Sequence, residues 1–302
     1  FIDGALAFNR LDVAAASRWL GLASSVGGAN DIAASGLATG PARWPVFDAI
    51  DADLRLSATQ LIGLDPRSGR LAASVTAKDG RLVIDIADME FADGAGAGQI
   101  TIDQQGKTPF YHLRGSVVHA DAATVLAFAH LPALLTGVAN IRFELSGRGR
   151  TWAETAAAST GEIQIALPAA GRMQLDLTRL LADARDRKSF AFGTHQLQGS
   201  AFDLLDVRLA VRHGTLISEH MSVRQNGLLV TADGTLQTHV GRLYLRLMTD
   251  HGQGLARTAR FGRSQSVLLH GEIANPRVLL EEPAGLQAPA PIVGPQAAPL
   301  PP

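Results

Sequence analysis

Leu205-Asp-Val-Arg-Leu-Ala-Val-Arg212 alternates without a break. Leu205, Val207, Leu209 and Val211 point one way; Asp206, Arg208, Ala210 and Arg212 point the other. Side chains on a strand alternate faces, so this run gives one dry surface and one wet one. Arg242 to Leu247 repeats it, with Leu243, Leu245 and Leu247 opposite Arg242, Tyr244 and Arg246. Ile141 to Leu145, Ile50 to Leu56 and Arg81 to Ile86 behave alike. Such two-faced runs are the mark of antiparallel strands.

Between the runs stand Asp79-Gly80, Asp93-Gly94, His213-Gly214, Asn226-Gly227 and Asp233-Gly234. Pairs of this kind supply the positive φ angles that tight hairpins need, and each is expected to be a turn. Residues 48–103 and 203–238 also echo one another, strand for strand and turn for turn, with drifting glycine spacing. Repeated hairpins predict an extendable sheet. The expected fold is therefore mainly β: an elongated, curled antiparallel sheet of repeated hairpins with a few short flanking helices.

Helical signals are brief. Asp121 caps a segment running to Leu131 before Pro132, and Thr151 with Glu154 forms a capping box ahead of Thr155 to Thr160. Asp176 to Lys188 lines up Leu177, Leu180, Leu181 and Ala184 on one stripe. Leu11 to Leu20, ended by Gly21, is a fourth candidate. Ala120 to Ala139 is apolar enough to be weighed as a membrane span, but Asp121, His130 and Pro132 interrupt it, which favours a short helix. Three segments follow: an N-terminal strand and helix region at 1–43, a β-rich region at 44–282, and a Pro/Ala-rich tail at 283–302 expected to be disordered. The β-rich region divides into halves at about 44–119 and 140–282 joined by a short helix.

The 302 residues are 46% hydrophobic and 18% charged, enough apolar matter for a folded chain. Aromatics are only 5% against 31 glycines, which again suits hairpins better than helix bundles. A net charge of -1 offers no basic field for nucleic acid. Cysteine is absent, which removes disulfides, thiolate metal sites and a Cys nucleophile. The chain opens Phe1-Ile2-Asp3 without Met, so it is expected to be part of a longer chain, with any signal or anchor lying upstream.

Short motifs point away from catalysis. Gly106-Lys107-Thr108 ends like a phosphate loop, but Thr101 replaces its first glycine and Pro109-Phe-Tyr-His112 reads as strand, so no helix N-terminus forms the cradle. Gly94-Ala-Gly-Ala-Gly98 is followed by strand-like Gln99-Ile-Thr-Ile-Asp103, where a dinucleotide site needs a helix. The histidines at 112, 119, 130, 195, 213, 220, 239, 251 and 270 show no helical ligand pair, and Ser146 has no nucleophile elbow. Asp183 and Asp186 share their helix with Arg179, Arg185 and Arg187, a solvated charged face. No catalytic, cofactor-binding or metal-ligating residue is assigned, and neither nucleotide nor nucleic acid is an expected partner.

Three passages carry a family resemblance: Lys78 to Ile86 with Gly94 to Asp103; Gly137 to Glu162 around Phe143-Glu-Leu-Ser-Gly-Arg-Gly-Arg-Thr-Trp-Ala-Glu154; and Leu268-Leu-His-Gly-Glu-Ile-Ala-Asn-Pro-Arg-Val278. Together the sequence resembles the AsmA-like family of Gram-negative envelope proteins over most of residues 44–280. It departs from the family pattern at Leu167-Pro168-Ala-Ala-Gly171, in place of a glycine-rich helix start. The resemblance implies a non-enzymatic periplasmic module, held at the inner membrane by an upstream segment, that supports phospholipid transport or outer-membrane biogenesis. A scaffold that assists envelope-protein assembly without binding lipid is the alternative. On this reading Val207, Leu209, Val211, Leu243, Leu245 and Leu247 are the candidate lipid-facing residues. The same six would also form ordinary core beneath the helices, the reading the residues alone favour slightly, and the sequence leaves both open.

Overall fold

A computed structural model describes residues 1–12, 51–62, 69–128, 134–193, 199–225, 227–237, 240–250, 266–273 and 275–281. In chain order the elements are β1 (Ile2–Asp12), β2 (Ala52–Ile62), β3 (Leu71–Lys78), β4 (Arg81–Phe91), β5 (Gly94–Asp103), β6 (Phe110–Asp121), α1 (Ala122–Phe128), β7 (Leu135–Thr136), β8 (Val138–Arg148) and α2 (Trp152–Ala157). There follow β9 (Thr160–Leu167), β10 (Gly171–Met173), α3 (Leu177–Arg187), β11 (Ser189–Ala191), β12 (Ser200–Phe202), β13 (Leu204–Arg212), β14 (Thr215–Gln225), β15 (Leu228–Gln237), β16 (Arg242–Asp250), β17 (Ser266–Glu272) and β18 (Arg277–Glu281).

Fifteen strands make one open, curled sheet in the order β1-β2-β3-β4-β5-β6-β8-β9-β13-β14-β15-β16-β17-β18-β11. A second sheet, β12-β10-β7, has three short strands. Mainly β with few helices is thus the architecture that alternation predicts. One pairing is not antiparallel: β1 runs parallel to β2, so the large sheet is mixed. The long segment between β1 and β2, residues 13–51, has the length a parallel crossover needs. The two halves are not separated, because β6 pairs directly with β8 through Val117 and Ile141.

Asp79 and Gly80, at φ 49° and 72°, form a two-residue loop of the kind that matches strand twist, as do His213 and Gly214. Two other pairs behave differently from expectation. The loop after β4 is Ala92-Asp93, at φ 52° and 62°, and Gly94 already belongs to β5. Asp233-Gly234 is no turn but the middle of β15. A Cβ at Gly234 would stand 2.1 Å from the Tyr244 carbonyl oxygen, so this glycine permits close strand approach.

With the loops placed correctly the internal echo tightens. Strands β4 and β14 are 11 residues each, and both carry a bulge midway. A bulge adds one residue, bends the strand and increases its twist.

The helices begin as their caps dictate. Asp121 accepts hydrogen bonds from the Thr124 amide and hydroxyl at 3.0 and 2.6 Å. Thr151 Oγ1 accepts from the Glu154 amide, while the Glu154 carboxylate accepts from the Arg150 amide, one residue earlier than a capping box prescribes. Asp176 caps α3, whose buried residues are the expected stripe of Leu177, Leu180, Leu181 and Ala184. Leu11 and Asp12 close β1 rather than open a helix; residues 13–20 of that candidate, and the tail at 283–302, lie outside the described residues.

Candidate functional site: an apolar sheet face

Register builds the site. Leu54, Val75, Ile84, Ile100, Leu113 and Leu145 stand opposite one another on successive strands from β2 to β8. The row continues through Gly161, Val211, Leu216, Leu236 and Leu243, crossing eleven neighbouring strands in all. Neighbouring rows on the same face are also apolar, such as Ile86, Gly98, Gly115, Phe143, Ile163 and Leu209. The opposite face is polar: Arg55, Ser74, Asp85, Gln99, Arg114, Glu144 and Glu162 form its matching row. Cross-strand pairs such as Gln99 with Asp85, at 3.2 Å, and His112 with Glu144, at 3.2 Å, tie that polar face together.

The apolar face is covered unevenly. Within β13–β18, α3 lays Leu177, Leu180, Leu181 and Ala184 against a core with Leu205, Val223, Val230, Val267 and Val278, while Leu209, Leu216, Leu236, Leu243 and Leu245 stay half-buried. Gln225, fully buried at the end of β14, fastens the helix there. Its Oε1 accepts from the Leu177 amide at 2.9 Å and its Nε2 donates to the Leu175 carbonyl at 3.2 Å. Over β2–β9 the middle rows stay half-buried, including Leu54, Val75, Ile84, Ile100, Leu113 and Leu145. The other described helices meet the sheet near strand ends, α1 at β6 and α2 at β8. A smaller core of Ala52, Ala77, Leu82, Ile102 and Tyr111 closes one edge of these rows. Burial there pushes the Tyr111 phenol up to about 12.

The six candidate residues all lie on β13 and β16, some inside the core under α3 and some outside it. Val207 and Leu247 are 8% and 5% exposed and belong to the core under α3. Val211 is buried outside that cluster, and Leu209, Leu243 and Leu245 are half-buried at its margin. The sequence reading did not single out the half-buried row from Leu54 to Leu145. Its signal was present, since the alternation at 50–56, 81–86 and 141–145 is as regular as that at 205–212.

Gly106, Lys107 and Thr108 lie in a loop between β5 and β6, and Gly94 to Gly98 lie within β5, so neither glycine motif leads into a helix. Histidines 112, 119, 213, 220 and 270 are described, and no group of three potential metal ligands occurs among the described residues. No helix among them is long and apolar enough to cross a membrane. One ion pair is partly withdrawn from water. Burial raises the Glu281 carboxyl, but hydrogen bonds from Arg246 and Ser266 outweigh it and hold the group below its usual range.

What fold and site define is an open sheet with one polar and one unevenly covered apolar face. Compared with family models, curated proteins and solved structures, the chain matches none.

Proposed function

We propose that the chain is a passive lipid-handling module: the half-buried part of its apolar face shields acyl chains from water while its polar face stays wet. The observation that carries this is the apolar row itself, in register across eleven strands and left part-exposed from β2 to β9. A continuous apolar surface of that extent binds something, and its strip shape suits chains more than compact solutes. Each methylene moved from water onto such a surface is stabilised by ~0.8 kcal/mol, so a few carbons suffice for association without any catalytic group. The resemblance of residues 44–280 to AsmA-like proteins supports the same reading, and with it a periplasmic site of action in phospholipid transport or outer-membrane biogenesis.

A second reading has its own observation. The outermost strand, β1, is exposed along most of its length, with Ile2 51% and Leu6 45% accessible. Such an edge can accept a partner strand, the mode expected of an assembly scaffold. Native mass spectrometry of the purified chain separates the two. Bound phospholipid, stripped by a charge at Ile100, supports lipid handling; a lipid-free chain that captures strand peptides supports the scaffold.

A further inference from the structure

The apolar face deepens into a pocket over its middle strands. Strands β4, β5, β6 and β8, with Phe128 at the end of α1, line a half-open cavity of about 220 Å³. Gly98 and Gly115, paired across β5 and β6, leave its floor without side chains. Each has a positional reason to be glycine. A Cβ at Gly98 would stand 2.6 Å from the Arg114 carbonyl oxygen, and one at Gly115 would stand 2.9 Å from the Phe143 ring. Phe143 therefore leans over the glycines as one wall. Phe91 and Phe128 close the far end as an edge-to-face pair, ring centres 5.0 Å apart.

Chemistry and shape narrow the occupant. Ile100 and Leu113 line the end towards the open rows. Alternation turns the side chains of Gln99, Arg114 and Ser116 to the polar face, so they lend the cavity only backbone already paired in the sheet. A polar solute would lose its hydrogen bonds to water there and gain none, which disfavours it. The lining on β5 runs from Ala97 to Ile100, over which the strand advances ~10 Å. A volume of 220 Å³ spread over that length is one hydrocarbon chain wide.

We propose that this cavity holds a single unbranched alkyl chain, entering between Ile100 and Leu113 and ending against Phe91 and Phe128. The inference rests on the lipid-handling reading and adds to it a fixed site on an otherwise continuous surface. The chain belongs either to a free fatty acid or to one tail of a phospholipid.

Gly96 provides the test. A Cβ there would first meet the flexible end of Met89, Cε at 3.3 Å, then the Met89 carbonyl oxygen and Val117 Cγ2, each at 3.5 Å; the Met89 and Val117 side chains both line the cavity. Gly96→Leu should thus fill the space from below, with Met89 Cε giving way and the Met89 carbonyl oxygen at ordinary contact distance. The probes are cis-parinaric acid, a linear fluorescent fatty acid, and vesicles of a phospholipid carrying the same chain. The parent should bind the fatty acid saturably at one equivalent, and Gly96→Leu should weaken this at least tenfold with the melting temperature kept. Phe128→Ala, at a residue 45% exposed, removes a wall without emptying the core and should weaken binding severalfold. It decides the matter if Gly96→Leu does not fold. Uptake of the phospholipid chain alone would identify the headgroup-bearing source; uptake of the acid alone would identify the free one. Unchanged binding in a folded Gly96→Leu, or in Phe128→Ala, overturns the cavity assignment and leaves the surface reading standing. No binding of either probe by the parent overturns both.

Discussion

Consider a carboxylate placed on the apolar face at two positions, Ile100→Glu and Leu247→Glu. Leu247 is 5% exposed in the core under α3. A carboxyl there either stays charged and unpaired or takes up a proton, and either way loses the leucine's packing. Large losses arise from this combination, about 4 kcal/mol or more. For a chain of this size each kcal/mol shifts the melting temperature by about 2–4 °C, so a fall of ~8–16 °C is expected. Ile100 occupies the half-buried row and its new carboxylate reaches water. The loss is then a fraction of the ~1.5–3 kcal/mol assigned to full burial of an isoleucine, or a few degrees. The assay is thermal unfolding followed by circular dichroism, with phospholipid occupancy by native mass spectrometry on the same samples. Ile100→Glu should fold and lose most of its lipid. If it unfolds as readily as Leu247→Glu, the row from Leu54 to Leu145 is closed core. If it folds and keeps full lipid occupancy, acyl chains do not use this surface.

Gln225→Ala should leave the Leu177 amide and Leu175 carbonyl unpaired in a buried site, costing about 1–3 kcal/mol and raising amide exchange along α3 before the sheet responds; unchanged α3 protection would show that packing alone seats the helix. Tyr111, held near 12, keeps its proton in the folded state while the unfolded chain loses it near 10. Stability should be intact below pH 10 and fall between 10 and 12, and a late phenolate absorbance step should vanish in Tyr111→Phe; a step that survives would assign it elsewhere. The depressed Glu281 contributes above its ordinary carboxylate range, and that contribution goes as pH falls through its lower folded value. Glu281→Gln should therefore be slightly less stable than the parent at neutral pH and equal to it in strong acid, read from paired urea titrations; Arg246 is 41% exposed, so the neutral-pH difference is small.

The sequence by itself determined the strands, the two faces and most of the punctuation. Alternation of residue type has the same period as the pleat, so Leu205 to Arg212 could be assigned faces from identity alone. The caps at Asp121, Thr151 and Asp176 act over three residues and were equally legible. Asp233-Gly234 was not, because a dipeptide does not record why its glycine is there: a turn and a close strand crossing both require the missing Cβ. Nor did the alternation say which stretch of the apolar face lies under α3. That depends on contacts between distant parts of the chain, such as Gln225 with Leu177, 48 positions apart. Val207 and Ile100 carry the same local signal, yet only the fold puts one in a core and the other half in the open. Periodicity fixes the direction of a side chain; what it then meets is set by which elements pack over it, a long-range quantity with no local period.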